Sequence, residues 1–161
     1  MTGTQAGELG LPEPFRIADF EGPTSEWLQR CRWQFEAIVD GHIQIDGRPL
    51  LACGDHDEVF WHATTGDVAW SETRWLDLGR CAVMGRVWDL LERLAAGDPR
   101  ACFWREGHGR RKSLMVAPVD LSLIVVLREC RASVLFVTAW PLRQRKRARQ
   151  MERVATRLAR A

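Results

Sequence analysis

The sequence predicts an α+β domain in which helices cover an antiparallel sheet, and three observations lead there. Four short apolar segments rich in β-branched and aromatic residues follow one another at 101–105, 112–117, 121–127 and 134–140. The joints between them, at 107–109, 118–120 and 129–132, are too short for a parallel crossover, so neighbouring strands should be antiparallel. A stretch with helical spacing stands just before them, and a sheet must bury one face against another layer. The expected core is a long helix packed on a four-stranded antiparallel meander.

Taken in order, residues 1–14 contain Gly and Pro without periodicity and read as a flexible arm. Residues 15–53 read as a helix and a small hairpin. Thr24 is the expected N-cap, Glu26 suits the first turn, and Trp27, Cys31, Phe35 and Ile38 recur at near-helical spacing until Asp40-Gly41. Residues 42–47 alternate into an Asp46-Gly47 turn signal, with 49–52 as the return strand. Residues 54–141 hold the helix and sheet core. Its first part reads as loop with one short element, and a long helix is expected from Trp75 or Leu76 to Ala96. Met84, Val87, Trp88, Leu91, Leu94 and Ala95 supply the apolar stripe, and Gly97-Asp98-Pro99 the stop. Residues 142–161 read as a basic C-terminal helix with Met151, Val154, Ala155 and Leu158 as its apolar ridge.

Length and composition limit the function. A chain of 161 residues that is 46% hydrophobic, with eight tryptophans, can bury a core without staples. It has no run of about 18 apolar residues to span a bilayer, and its start lacks a basic region followed by an apolar one. A cytoplasmic protein without a membrane partner is expected. Five scattered cysteines with no Cys-x-x-Cys pair favour buried free thiols over a disulfide framework. Cys53 and His56 would supply only two metal ligands, so neither metal nor cofactor is expected.

The net charge of +2 conceals an asymmetry. Of 23 basic and 21 acidic side chains, residues 143–161 hold eight basic groups and one acid, leaving 15 basic and 20 acidic in residues 1–142. A mildly acidic body thus carries a basic tail suited to a polyanion. Arg143, Arg145, Lys146, Arg147 and Arg149 are the candidate nucleic-acid contacts, with a solvated helix face as the other reading. Most of the tryptophans align with apolar stripes and read as core rather than as stacking platforms.

The order of motifs resembles the barnase, EndoU, colicin-type and RelE assemblage of metal-independent ribonucleases, in particular its phage-associated members. The resembling features are Phe60-Trp61-His62, the arginines Arg74 and Arg80, the helix around Trp88, Cys102-Phe103-Trp104, Arg110-Arg111-Lys112, Val125-Val126-Leu127-Arg128 and Val137-Thr138-Ala139-Trp140. They span roughly residues 50 to 148, each is short, and their order carries the match. A tyrosine usually closes the Thr-Ala-aromatic triplet in such proteins; this chain has Trp140 and no tyrosine, so no step can rely on a phenol.

The resemblance implies a toxin-like or phage-associated endoribonuclease that drives the 2'-hydroxyl onto its own phosphate and leaves a 2',3'-cyclic end. RNA is the expected substrate or ligand, and a cognate inhibitor protein is a possible partner. Without a metal this chemistry needs a base, an acid and cations around the phosphorane. His62 is the candidate base, since two aromatics precede it and cationic neighbours disfavour its protonated form. The alternative makes it a packing histidine. Arg74 and Arg80, with Arg111 and Lys112 at the mouth of the second core strand, would clamp the phosphate, or are simply solvated charges. Thr138 would be an auxiliary donor, or merely a good strand residue, and His108 a general acid or a plain turn residue. Two other functions stay open: a nucleic-acid-binding module that cuts nothing, and an antitoxin, immunity or phage structural protein whose basic helix docks on an acidic partner.

Overall fold

The computed structural model describes residues 23–67, 74–77, 80–81, 83–107, 109–110, 112–142 and 149. The expected N-terminal arm, His108, Arg111 and nearly all of the basic C-terminal helix therefore lie outside the described residues.

Helix α1 (Pro23–Val39) starts on a proline, which suits a first-turn position because its missing N–H is needed by no helical partner. Its stripe of Leu28, Cys31, Phe35, Ile38 and Val39 is buried. Strands β1 (Asp40–Ile45) and β2 (Arg48–Ala52) follow as a hairpin. Asp46 and Gly47 both have positive φ, 51° and 74°, the backbone of the two-residue turn that their sequence signals.

Helix α2 (His56–Thr64) occupies the stretch expected to be mostly loop. Asp55 caps it, Oδ1 accepting from the N–H groups of Asp57 (3.0 Å) and Glu58 (3.1 Å). Asp57 and Glu58 place negative charge at its positive end, while Val59, Phe60 and Ala63 bury its inner side. The polar run 55–58 is thus a helix start. Strand β3 (Thr65–Asp67) continues from α2 and pairs antiparallel with β4 (Arg74–Leu76). The helix expected from Trp75 or Leu76 is corrected accordingly: those residues are strand, and α3 runs over Met84–Ala95. The pairing of Trp75 with Gly66 and of Leu76 with Thr65 overrides the apolar periodicity that suggested a helix. Met84, Val87, Leu90 and Leu91 are buried, whereas Trp88 turns outward at 40% exposure. The predicted stop holds, with Gly97 at φ 71° and the Gly97 and Asp98 N–H groups bonded back to Leu94 and Arg93 carbonyls.

Strands β5 (Ala101–Glu106), β6 (Ser113–Pro118), β7 (Leu123–Glu129) and β8 (Val134–Pro141) form the expected antiparallel meander. The sheet does not end there. Its order is β1-β2-β8-β7-β6-β5, and β2 runs parallel to β8 with Leu50 opposite Val134 and Ala52 opposite Phe136. The four-stranded antiparallel sheet is therefore corrected to a six-stranded mixed one. More than 80 residues separate Leu50 from Val134, ample chain for the crossover a parallel pair requires. An open β8 edge would have left a row of main-chain groups unpaired, and the N-terminal hairpin covers them.

The three helices described above contribute to one core with Leu114, Val116, Leu123, Val125, Leu127, Val134 and Phe136, so they share one face of the sheet, the inner face. Phe35 of α1, Phe60 of α2 and Phe136 of β8 meet with ring centroids 5.4 Å (Phe35–Phe60) and 5.9 Å (Phe35–Phe136) apart. The outer face carries a second apolar cluster of Trp104, Met115, Ala117, Leu121 and Ile124, with Val126, Trp140 and Leu142 against it.

Strict alternation along β8 would put Thr138 and Trp140 on the face of Val134 and Phe136. The register shifts instead: Leu127 faces Phe136 while Val126 faces Thr138, which leaves Val137 as an extra residue. Beyond this bulge Ala139 points into the main core, and Thr138 and Trp140 go to the outer side.

Candidate functional site

His62 stands exposed in the last turn of α2. Side chains meet three carbonyls near that helix end: Thr64 Oγ1 donates to Phe60 O at 2.8 Å, Thr65 Oγ1 to Trp61 O at 2.6 Å and Arg80 Nη1 to His62 O at 3.4 Å. Arg80 is held from its other side by Asp77, whose Oδ1 accepts from the Arg80 N–H at 3.1 Å and whose Oδ2 lies 3.6 Å from Nε. The main chain of Arg74 lies opposite Asp67, on the hairpin that leaves α2 directly. Of the residues singled out in the sequence, His62, Arg74 and Arg80 therefore sit on adjoining elements, with a direct bond between Arg80 and the His62 main chain.

The others are placed elsewhere. Lys112 is exposed just before β6, at the end of the sheet where β2 and β8 begin. Thr138 is 8% exposed on the outer side, the opposite face from the one Phe60 packs on, and its Oγ1 has no hydrogen-bond partner among the described residues. Arg149 is helical and exposed. Arg111, Arg143, Arg145, Lys146 and Arg147 lie outside the described residues.

Two polar networks escaped the sequence reading. In the first, Arg32 of α1 joins Glu36 (2.7 Å) and Asp57 (2.6 Å), with its guanidinium 5.0 Å from the Phe60 ring centroid. Glu36 Oε2 also lies 2.7 Å from His56 Nδ1, which fixes that ring nitrogen as the donor because a carboxylate only accepts. Phe35 meets the same ring edge-on at 6.1 Å. His56, considered above as a metal ligand beside Cys53, is committed to Glu36, while Arg128 Nη1 lies 3.6 Å from Cys53 Sγ. No group of three potential metal ligands occurs among the described residues.

In the second network Glu129 of β7 bonds Arg105 of β5 at 2.8 and 3.0 Å and Arg48 of β2 at 3.1 Å. The bonds from Arg105 and Arg48 hold the Glu129 carboxyl below its ordinary range. The signal for it was parity: Glu129 alternates with Leu127 and Val125 on the buried face, where a carboxylate needs a partner. The Cys81 thiol, buried against Cys31, is pushed far up by that contact and by burial, which keeps it neutral and unreactive.

No protein-family model, curated protein or solved structure matches the chain. Among the described residues no helix is long and apolar enough to cross a membrane.

Proposed function

We propose that the protein is a metal-independent endoribonuclease of toxin-like or phage-associated type, with His62 as general base and Arg80 and Arg74 as the phosphate clamp. The observation that supports this reading is the bond from Arg80 to the His62 carbonyl, which holds a guanidinium against the main chain of an exposed histidine at a helix end. In the proposed step His62 takes the 2'-hydroxyl proton as that oxygen attacks the adjacent phosphorus. The guanidinium groups neutralise charge on the phosphorane, and the 5'-oxygen leaves with a proton taken from water, giving a 2',3'-cyclic phosphate. Arginine suits the clamp because its planar fork meets two phosphate oxygens at once.

A second reading, a nucleic-acid-binding module that cuts nothing, draws on the positions of Lys112, just before β6, and Thr138, on the outer face, neither of which contacts His62 or Arg80 in any hydrogen bond or ion pair among the described residues. The two separate in one experiment, in which the protein and its His62→Ala variant are incubated with total RNA in EDTA. Cleavage leaving 2',3'-cyclic ends, slowed at least about a hundredfold in the variant, is the expected result. Equal cleavage by both proteins removes His62 from the mechanism. Salt-sensitive binding without product establishes the binding module in its place.

A further inference from the structure

The β1–β2, β7–β8 and β5–β6 connections lie side by side at one end of the sheet. Glu106 faces Ser113, Ser113 faces Arg128, and Glu129 faces Val134, which stands opposite Leu50 two residues into β2. Because β2 and β8 run parallel, both begin at this end, and the three connections line up across it. From β2 to β5, four strand spacings cover about 19 Å.

The charge there runs against that of the body. Residues 1–142 hold 15 basic and 20 acidic side chains. At this end the described residues include six cations, Arg48, Arg105, Arg110, Lys112, Arg128 and Arg131, against three acids, Asp46, Glu106 and Glu129, a net charge of +3. Arg48 and Arg105 share Glu129, and Asp46 lies 3.8 Å from Arg48. Arg128 meets Cys53 Sγ at 3.6 Å rather than a carboxylate. Arg110, Lys112 and Arg131 are exposed and pair with no carboxylate among the described residues. Elsewhere Arg32, Arg80, Arg86, Arg93 and Arg100 each lie within ion-pair distance of one.

The connection bearing Arg131 and the one bearing Arg110 and Lys112 are centred about two strand spacings, or about 10 Å, apart. That is on the order of one Debye length at physiological salt, so their potentials add. Cations strung along a line suit a long anion better than a single phosphate, which needs donors converging on one point. The three connections hold no large apolar side chain of the kind that anchors a protein partner, whereas a phosphate backbone is held by charge alone.

We propose that this end of the sheet binds the phosphate backbone of a nucleic-acid strand, with Arg110, Lys112 and Arg131 as its principal contacts. The surface stands apart from the ribonuclease reading, since the readout below does not depend on a cut strand.

The test is binding of the full-length chain, across a salt series, to poly(dT), which lacks the 2'-hydroxyl and cannot be cleaved by the proposed chemistry. Arg110→Ala/Lys112→Ala/Arg131→Ala should lower the slope of log K against log salt by about 2, at about 0.7 per lost contact on a single strand. Arg86→Ala/Arg93→Ala/Arg100→Ala removes the same charge from side chains already paired with carboxylates, and should leave the slope unchanged. Circular dichroism confirms that both variants stay folded, as expected where only exposed charges are lost. An equal fall in both variants reduces the effect to net charge and overturns the surface. An unchanged slope in the first variant, or no binding by the parent, overturns it as well. Binding to poly(glutamate) that the first variant loses, without binding to poly(dT), gives the same cations to an acidic protein and overturns the nucleic-acid assignment.

Discussion

Arg80 and His62 meet through the main chain: the guanidinium of the first donates to the carbonyl of the second, at a helix end where cationic groups are favoured. This contact is a C-terminal cap for α2 whatever else Arg80 does. Arg80→Ala should therefore cost about 0.5–1 kcal/mol, a fall in Tm of about 1–4 °C for a chain of this length. If Arg80 also clamps phosphate, RNA cleavage should fall about a hundredfold or more, far beyond what the small loss of folded protein explains. Thermal melts and cleavage rates on the same samples separate the roles, and a Tm loss with an intact rate leaves Arg80 as a cap alone.

Glu129 links strands at opposite sides of the meander, reaching Arg105 on β5 and Arg48 on β2. Arg105 is half open to water, which weakens its share, so Glu129→Gln should cost about 1–2 kcal/mol, or about 3–6 °C in Tm at neutral pH. The pH dependence follows from the lowered carboxyl. Its contribution is complete above the unfolded-state value near 4.3 and fades as pH falls through the lower folded-state value. Melting curves of the two proteins should differ at about pH 7 and converge as pH falls through the lowered folded-state value, below which both side chains are neutral. A gap that persists in acid would mean that Glu129 acts through packing instead.

Phe60 fastens α2 to the body, since its ring lies against Phe35, and Phe35 against Phe136, with all three at 0% exposure. Phe60→Ala should cost about 3–5 kcal/mol through lost burial and the cavity left behind. Because α2 carries His62, Phe60→Leu is the informative companion: it keeps most of the volume, so it should stay folded while the helix end shifts. Denaturant titration of both variants gives the ranking, and an alanine variant within about 1 kcal/mol of the parent would show that the site collapses without cost.

What the sequence disclosed followed the range of the interactions involved. The meander was legible because each of its turns joins adjacent strands, and the Asp46-Gly47 hairpin because two residues decide its geometry. The β2–β8 pair was not, because parallel partners more than 80 residues apart leave no mark at either strand. Nor was β4, whose three residues read equally well as the start of an amphipathic helix. Helix α2 could have been found from Asp55 as cap, acids in the first turn and apolar residues at 59, 60 and 63. At the candidate site, His62 and Arg80 were each singled out from the sequence, and the bond between them was not, since it depends on where the segment after β4 returns.

The same limit applies at Thr138, where one extra residue decides which way the hydroxyl points. Val137 has no opposite number in β7, so Thr138 faces the outer apolar cluster beside Val126, with an Oγ1 that finds no partner among the described residues. A buried hydroxyl left unpaired costs about 1–3 kcal/mol, and valine has nearly the same shape without that cost. Thr138→Val should therefore hold or raise the Tm, by up to about 6 °C, and leave RNA cleavage unchanged. If cleavage falls while the fold is kept, the hydroxyl is reaching a phosphate oxygen and the outer face is part of the site. If the Tm falls instead, the hydroxyl makes a bond that holds the fold, and its side chain is not an unpaired one.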